Sequence, residues 1–224
     1  MHQRIILVSS VLGLAFGLVG GAQAFAAAAL DPASFTPSSE LRGPPSPESP
    51  ASVNDLNEVL KLQGSRTAAD CKRAESEIAP SLQSFFGPPY GPLAESDLVK
   101  LAPDFGKLLE GLYPLIKKTK EKWTRVRPSQ ASSQVQTCIK LETSSSYPSG
   151  HAAAAVVLGK TLALIRPKLK KVILKRSHQI GEDRVMAGAH YPSDIRDGEI
   201  LGEEIFSLLQ ANKEYQEMIA RLRL

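Results

Sequence analysis

The chain has 224 residues, of which 42% are hydrophobic and 22% charged, with a formal net charge of +4. That is enough for one domain with a real core, and the balance is ordinary for a globular protein. So mild a charge gives no footing for a nucleic-acid binder. Only 6% of residues are aromatic, so aliphatic side chains and alanine must fill most of the core.

The first residues read as an export signal. Arg4 gives a positive start, Ile5 opens an apolar run to Val19, and Ala22-Gln23-Ala24 is a small-x-small cleavage site. The run is short for a membrane span and has no charged stop after it. A signal peptide over 1–24 is expected, with a periplasmic or secreted product; an uncleaved anchor is the alternative. Cleavage removes one arginine and no acid, leaving about +3.

Residues 25–52 are rich in Ala, Pro and Ser and include Pro44-Pro45, Pro47 and Pro50. They are expected to form a linker or extended arm with little means of burying itself. The folded domain is then 53–224. Residues 53–62 fit a short helix with Val53, Leu56, Val59 and Leu60 on one face, stopped by Gly64. Thr67 can cap a helix over 68–78. Residues 85–92, with three prolines and two glycines, are expected to be a loop.

Leu98, Leu101, Phe105, Leu108, Leu112 and Leu115 then recur at steps of three and four, one apolar stripe of a long helix. Pro103 should mark a break or first turn and Pro114 a kink. Lys120 and Arg127 follow and would share a side if the helix persists. Residues 129–146 are polar and irregular. Ser149 should cap a helix over 150–165, stopped by Pro167. Ala152 to Ala155 carry no bulky side chain, so neighbours can approach closely and this helix belongs at the centre. Helices over about 169–187, from Pro192 onward, and over 214–224 complete the chain. No strand alternation of any length is present, and the class is all-α.

Three places carry candidate chemistry. At Pro148-Ser149-Gly150-His151, a capped helix start offers unpaired amides and a positive dipole end, which bind phosphate. Gly150 permits close approach, and His151 in the first turn can give a proton to a leaving oxygen. Taken alone, this is equally a plain helix start with a surface histidine. In the second place, Pro192 puts Asp194 in a helix's first turn and His190 just before it. A carboxylate bonded to one imidazole nitrogen keeps the other neutral and oriented for attack, while Arg184 offers a planar fork for phosphate oxygens. The plain alternative is a buried histidine satisfied by a nearby acid. Third, Lys120 and Arg127 lie among Lys117, Lys118, Lys122 and Arg125, where any single cation is by default a solvated one.

Together, Lys120, Arg127-Pro128, Pro148-Ser149-Gly150-His151, Arg184, His190 and Asp194 resemble the signature of the type 2 phosphatidic acid phosphatase superfamily. Within it the chain resembles the class A bacterial non-specific acid phosphatases, through Thr137-Cys138, residues 146–151, Ile173-Leu174-Lys175-Arg176 and residues 188–194. The resemblance implies a single-domain helical bundle of the acid phosphatase and vanadium haloperoxidase type. It implies His190 as a nucleophile forming a phosphohistidine, His151 as general acid and Asp194 as orienter of His190. Lys120, Arg127, Arg184, Ser149 and the Gly150 amide would hold the phosphate, with no metal and no cofactor. One departure stands out: the family has Ser before the last arginine, where this chain has Asp183. A carboxylate facing the pocket would weaken phosphate binding, whereas one turned away or paired with Arg184 would matter little.

The expected reaction is hydrolysis of small-molecule phosphate monoesters at acidic pH; the alternative is a phosphatase acting on lipid phosphate headgroups at the membrane surface. A vanadium haloperoxidase would need a larger scaffold, and a non-enzymatic helical interaction protein would leave the full residue set without purpose. No stable membrane insertion is expected after signal cleavage. Nor is a nucleic-acid partner, since the basic run Arg166, Lys168, Lys170, Lys171, Lys175, Arg176 has no interleaved aromatics and reads as a solvated face. A homo-oligomer stays open through the apolar residues of the last two helices. Cys71 and Cys138 suffice for one disulfide in an exported chain and are equally compatible with two buried thiols. The four histidines (His2, His151, His178, His190) and two cysteines show no zinc spacing.

Overall fold

The structure, a computed structural model, describes residues 30–223. The expected signal peptide lies outside them. Nine α-helices form among the described residues, with no strand. They are α1 Pro50–Ser65, α2 Ala68–Ser76, α3 Leu82–Phe86, α4 Glu95–Glu121, α5 Pro128–Ala131, α6 Gly150–Ile165, α7 Lys170–Met186, α8 Pro192–Gln210 and α9 Lys213–Leu222, with a 3-10 turn Pro167–Leu169 before α7. The chain is all-α.

Local chemistry explains most of the starts. Ser49 accepts a hydrogen bond from the Ser52 amide and Pro50 takes the first position of α1. Thr67 and Asp70 bond reciprocally across the first turn of α2. Ser149 caps α6 through the Ala152 amide. Asn212 caps α9 through the Tyr215 amide. Cys71 and Cys138 are joined in a disulfide, which ties α2 to the segment leading into the 139–149 stretch.

Helix α6 is the axis of the bundle. Twelve of its sixteen residues are buried. Its alanines let α7 and α8 come close, and the neighbours answer with small residues. A Cβ added at Gly202 of α8 would lie 2.7 Å from the Ala153 carbonyl oxygen and 2.7 Å from the Val156 Cβ. One added at Gly198 would lie 2.5 Å from the Ser149 carbonyl oxygen. Around α6 pack Phe85 and Phe86 of α3, the α4 stripe from Leu98 to Leu115, and Leu201, Ile205, Leu209, Tyr215 and Leu222 of the last two helices.

Several expectations are corrected. Residues 30–49 are not a free linker: Leu30, Phe35 and Leu41 are buried in the main core. Lys118 Nζ donates to the carbonyls of Pro32 and Phe35, so this arm's backbone finds its partner on α4. Three apolar residues spread over twelve positions make no periodic signal. Phe85 and Phe86 end a helical turn, capped by Ser81, rather than lying in a loop. Pro103 does not break α4, which is continuous through both prolines. In α1, Val53 is exposed and Asp55 is buried instead. Arg176 is not on a solvated face; it is buried against Glu77. The apolar faces of α8 and α9 are largely covered by the chain's own core, although Leu208 is exposed.

Gly202→Ala should cost about 1–3 kcal/mol through overpacking against α6. Gly106→Ala, inside α4 with nothing within 4 Å of the new Cβ, should instead gain about 0.5–1 kcal/mol. Urea midpoints of the two variants against the parent chain check both signs.

Candidate active site

The last turn before α8 sets the geometry. Pro192 starts the helix, so the Asp194 carboxylate falls in its first turn and turns back on the residues just before. It accepts from the Tyr191 amide at 2.9 Å and faces His190 Nδ1 at 3.3 Å. Arg127 Nη1 stands 3.3 Å from His190 Nε2 and also donates to the Ala189 carbonyl at 2.9 Å. A guanidinium can only donate, so Nε2 must carry the lone pair and Nδ1 the hydrogen, assigned from these partners. The contacts thus demand the tautomer with an Nε2 lone pair.

His151 begins α6 and is buried. Its Nε2 lies 3.2 Å from the Glu77 carbonyl oxygen and 3.3 Å from that of Ile78, so Nε2 is the protonated nitrogen. Arg184, on α7, is also buried, and its Nη2 donates to Glu77 Oε2 at 2.6 Å. Its Nε is buried with no partner. An orphaned guanidinium N–H of this kind suits an incoming anion. Arg127, His151, Arg184 and His190 line one narrow cavity, rimmed by Ile78, Ile139, Leu141 and Glu142.

Not every expected phosphate ligand lines that cavity. Helix α4 ends at Glu121, so Lys120 and Arg127 do not share a helix face; Arg127 comes from an extended segment and caps α5. Lys120 Nζ donates to the Ser145 carbonyl at 2.7 Å, and its Cε lies 3.8 Å from where a Gly150 Cβ would be. The Ser149 hydroxyl is spent on capping α6, and its amide donates to the Asp194 backbone oxygen at 2.9 Å. Ser149 therefore joins the two motifs as well as starting the helix.

Asp183 neither lines the cavity nor pairs with Arg184. Both its oxygens face Arg73 of α2, at 2.9 and 2.7 Å. The carboxylate that does reach Arg184 is Glu77, fully buried between Arg184 and Arg176 at 2.6 Å each. Sequence reasoning missed Glu77, along with Arg125 and Asp55. Arg125 Nη1 donates to Asp194 Oδ1 at 2.6 Å and Nη2 to Asp55 Oδ2 at 2.7 Å. In a run of six basic residues nothing marks Arg125 as the one that pairs with buried carboxylates. Asp55, lying between Val53 and Leu56 of the expected apolar face, was hidden by a pattern that rotates differently in the fold.

Burial and charge set the protonation states. Burial pushes His190 down to about 4, against the pull of Asp194 and with help from Arg127 and Lys120. Burial, then Arg184 and His190, hold His151 well below its ordinary value. Burial opposes ionisation of Asp194, but His190, Arg125 and Ser146 outweigh it and bring it to about 2. Burial and Arg127 lower Lys120 to about 8, which leaves it charged at acidic pH. Both imidazoles are therefore neutral near pH 6, and the cations around them are charged. Such a site can hold a phosphoryl group and present a neutral nitrogen to it. Among the described residues, no group of three or more His, Cys, Asp or Glu side chains could hold a metal ion, and no helix is long and apolar enough to cross a membrane.

The PAP2 superfamily model matches residues 108–211. The chain is 31% identical over 171 residues to a non-specific acid phosphatase of Providencia stuartii, covering 72% of this chain and 66% of that protein. It is 26% identical over 195 residues to a non-specific acid phosphatase of Salmonella typhi, covering 82% of this chain and 77% of the relative. A lipid A 1-phosphatase of Rhizobium johnstonii is 39% identical over only 66 residues, 30% of this chain. The chain belongs to the PAP2 superfamily. It is a hydrolase of the phosphatase class.

Two outcomes test the electrostatics. Because kcat/KM reports the free enzyme, its acid limb should fall near pH 4, where His190 takes a proton. Stability should respond in the same window. Between about pH 6.5 and 4 the unfolded chain holds a proton on this histidine that the folded chain does not. The stability of the parent relative to His190→Gln should therefore decline as pH is lowered through that window, by on the order of 3 kcal/mol, read from paired urea melts.

Proposed function

We propose that the chain hydrolyses phosphate monoesters at acidic pH through a phosphohistidine on His190. The observation that carries this reading is the tautomer: Nδ1 of His190 is held on Asp194 and Nε2 faces the cavity shared with Arg127, Arg184 and His151. In the first step Nε2 attacks phosphorus, the P–N bond forms and the P–O bond to the leaving group breaks. The departing oxygen takes a proton from His151. The neutral free-state His151 would gain that proton as the substrate's negative charge enters. In the second step His151 takes a proton from water, whose oxygen attacks phosphorus. The P–N bond then breaks and inorganic phosphate leaves.

Lys120, Arg127, Arg184 and the Gly150 amide at the start of α6 would hold the phosphate oxygens. Three fixed cations supply the charge neutralisation that metal ions supply in other phosphoryl-transfer sites. Ser149 would position that amide. Asp183 is expected to have little effect on phosphate, because Arg73 occupies it.

Phosphate on a lipid headgroup is a second substrate class, supported by the 66-residue likeness to lipid A 1-phosphatase. We place the chain in the periplasm or outside the cell. The support is the leader-like composition of residues 1–24 and the Cys71–Cys138 bridge, since such bridges persist in oxidising compartments.

The deciding experiment is hydrolysis of a chromogenic phosphate monoester at pH 5 to 6 in excess EDTA. Activity should survive the chelator and drop by about three orders of magnitude or more in His190→Ala. Quenched wild type should carry an acid-labile phosphoryl group that the variant lacks. Loss of activity to EDTA, or its survival in the variant, would overturn the mechanism.

A further inference from the structure

Helix α1 reaches the back of the nucleophile through one side chain. Asp55 accepts from the Ser193 amide at 3.1 Å and from the Ser193 hydroxyl, so it caps the first turn of α8 from a distant helix. It also takes Arg125 Nη2 at 2.7 Å. Nη1 of the same guanidinium donates to Ser193 Oγ at 2.7 Å and to Asp194 Oδ1 at 2.6 Å. The guanidinium carbon lies 3.9 Å from the centre of the Tyr191 ring. Asp194 Oδ2 receives Ser146 Oγ at 2.5 Å and faces His190. Arg125 is thus pinned between two buried carboxylates and an aromatic face.

Three formal charges stand in series behind the imidazole: negative, positive, negative. Their sum is one negative charge. A neutral ring sets no charge against it, whereas a protonated ring, or a ring made cationic by a P–N bond at Nε2 with Nδ1 still protonated, sets one positive charge beside Asp194. On its other sides His190 meets Arg127 ahead of α5, Lys120 on α4, His151 on α6 and Arg184 on α7, with Glu142 paired to Arg127 at the rim. Asp194 is the anion in contact with the ring, so whatever tunes Asp194 tunes the nucleophile.

We propose that Asp55 and Arg125 are positioning residues for His190, which fix the direction of the Asp194 carboxylate and share its charge so that the imidazole stays neutral and aimed until it is phosphorylated. Neither lines the cavity. Asp55 also lies outside the residues matched by the family model, so helix α1 adds to the catalytic apparatus something the family match does not carry. The proposal rests on His190 as nucleophile.

A plain structural network would lose stability and activity together when any member is removed. A charge ladder makes a signed prediction instead. Arg125→Met leaves two negative charges behind the ring, so His190 should titrate higher, by about half to one pH unit. Asp55→Asn leaves none in sum, so His190 should titrate lower by a similar step. The double variant restores one negative charge and should return to within about 0.2 unit of wild type.

The readout is NMR titration of the His190 ring nitrogens, assigned by comparison with His190→Ala, alongside the acid limb of kcat/KM. If Arg125→Met leaves too much uncompensated charge to fold, Asp55→Asn and the double variant still carry the sign test. Titration midpoints that do not move, or that all move one way while kcat/KM tracks melting temperature, would overturn the ladder. A wild type that hydrolyses no phosphate ester would sink the functional reading, while the ring titration would still decide the ladder by itself.

Discussion

The close approach of α8 to α6 is the constraint on which the site depends. Gly198 sits where any Cβ would press on the Ser149 carbonyl oxygen. That approach lets the Ser149 amide bond to the Asp194 backbone. The bond locks the start of one helix to the start of another. The two helix starts carry the two histidines, so the distance between His151 and His190 is a property of backbone packing. Side chains alone hold such distances less well, because each must lose rotamer freedom to do so.

Around that junction the protein buries an unusual amount of charge. Asp55, Glu77, Asp183 and Asp194 are all buried, as are Arg127, Arg176 and Arg184. Each carboxylate meets at least one guanidinium or imidazole. Pairing of this kind does little for net stability, since desolvation offsets most of the attraction. Its value is directional. Arginine forks match carboxylates at fixed angles, so a guanidinium can be held at one edge and left open at another. The unpartnered Nε of Arg184 is the clearest instance. The same low-dielectric setting holds both histidines below their ordinary pKa, and so favours their neutral forms.

Much of this was legible in the chain. The motif residues from Lys120 to Asp194 named the chemistry, and His151, Arg127, Arg184 and His190 do meet in one cavity. Caps at Ser149, Thr67 and Pro192 placed helix starts to within a residue or two. The run Ala152 to Ala155 announced a central helix, because only small side chains allow neighbours so near. Illegible were the partners. Asp55, Glu77 and Arg125 sit in stretches whose local patterns read as amphipathic or basic, and each is charged at a position the fold buries or half-buries. Asp183 was conspicuous as a departure, yet its consequence depended on Arg73, 110 residues away.

The amino-acid sequence by itself determined the longer helices, the order of the motifs and the residue types gathered at the site. These follow from interactions within a few positions: capping, periodicity of 3.6 and the fixed preferences of proline and glycine. The tertiary structure alone decided that the arm at residues 30–49 packs into the core. It alone decided that Asp183 turns away from the cavity, and that Asp55 and Arg125 stand behind His190 and Asp194. Those outcomes require contacts between residues tens of positions apart. Charge carries no periodic signal that would reveal which distant partner will neutralise it.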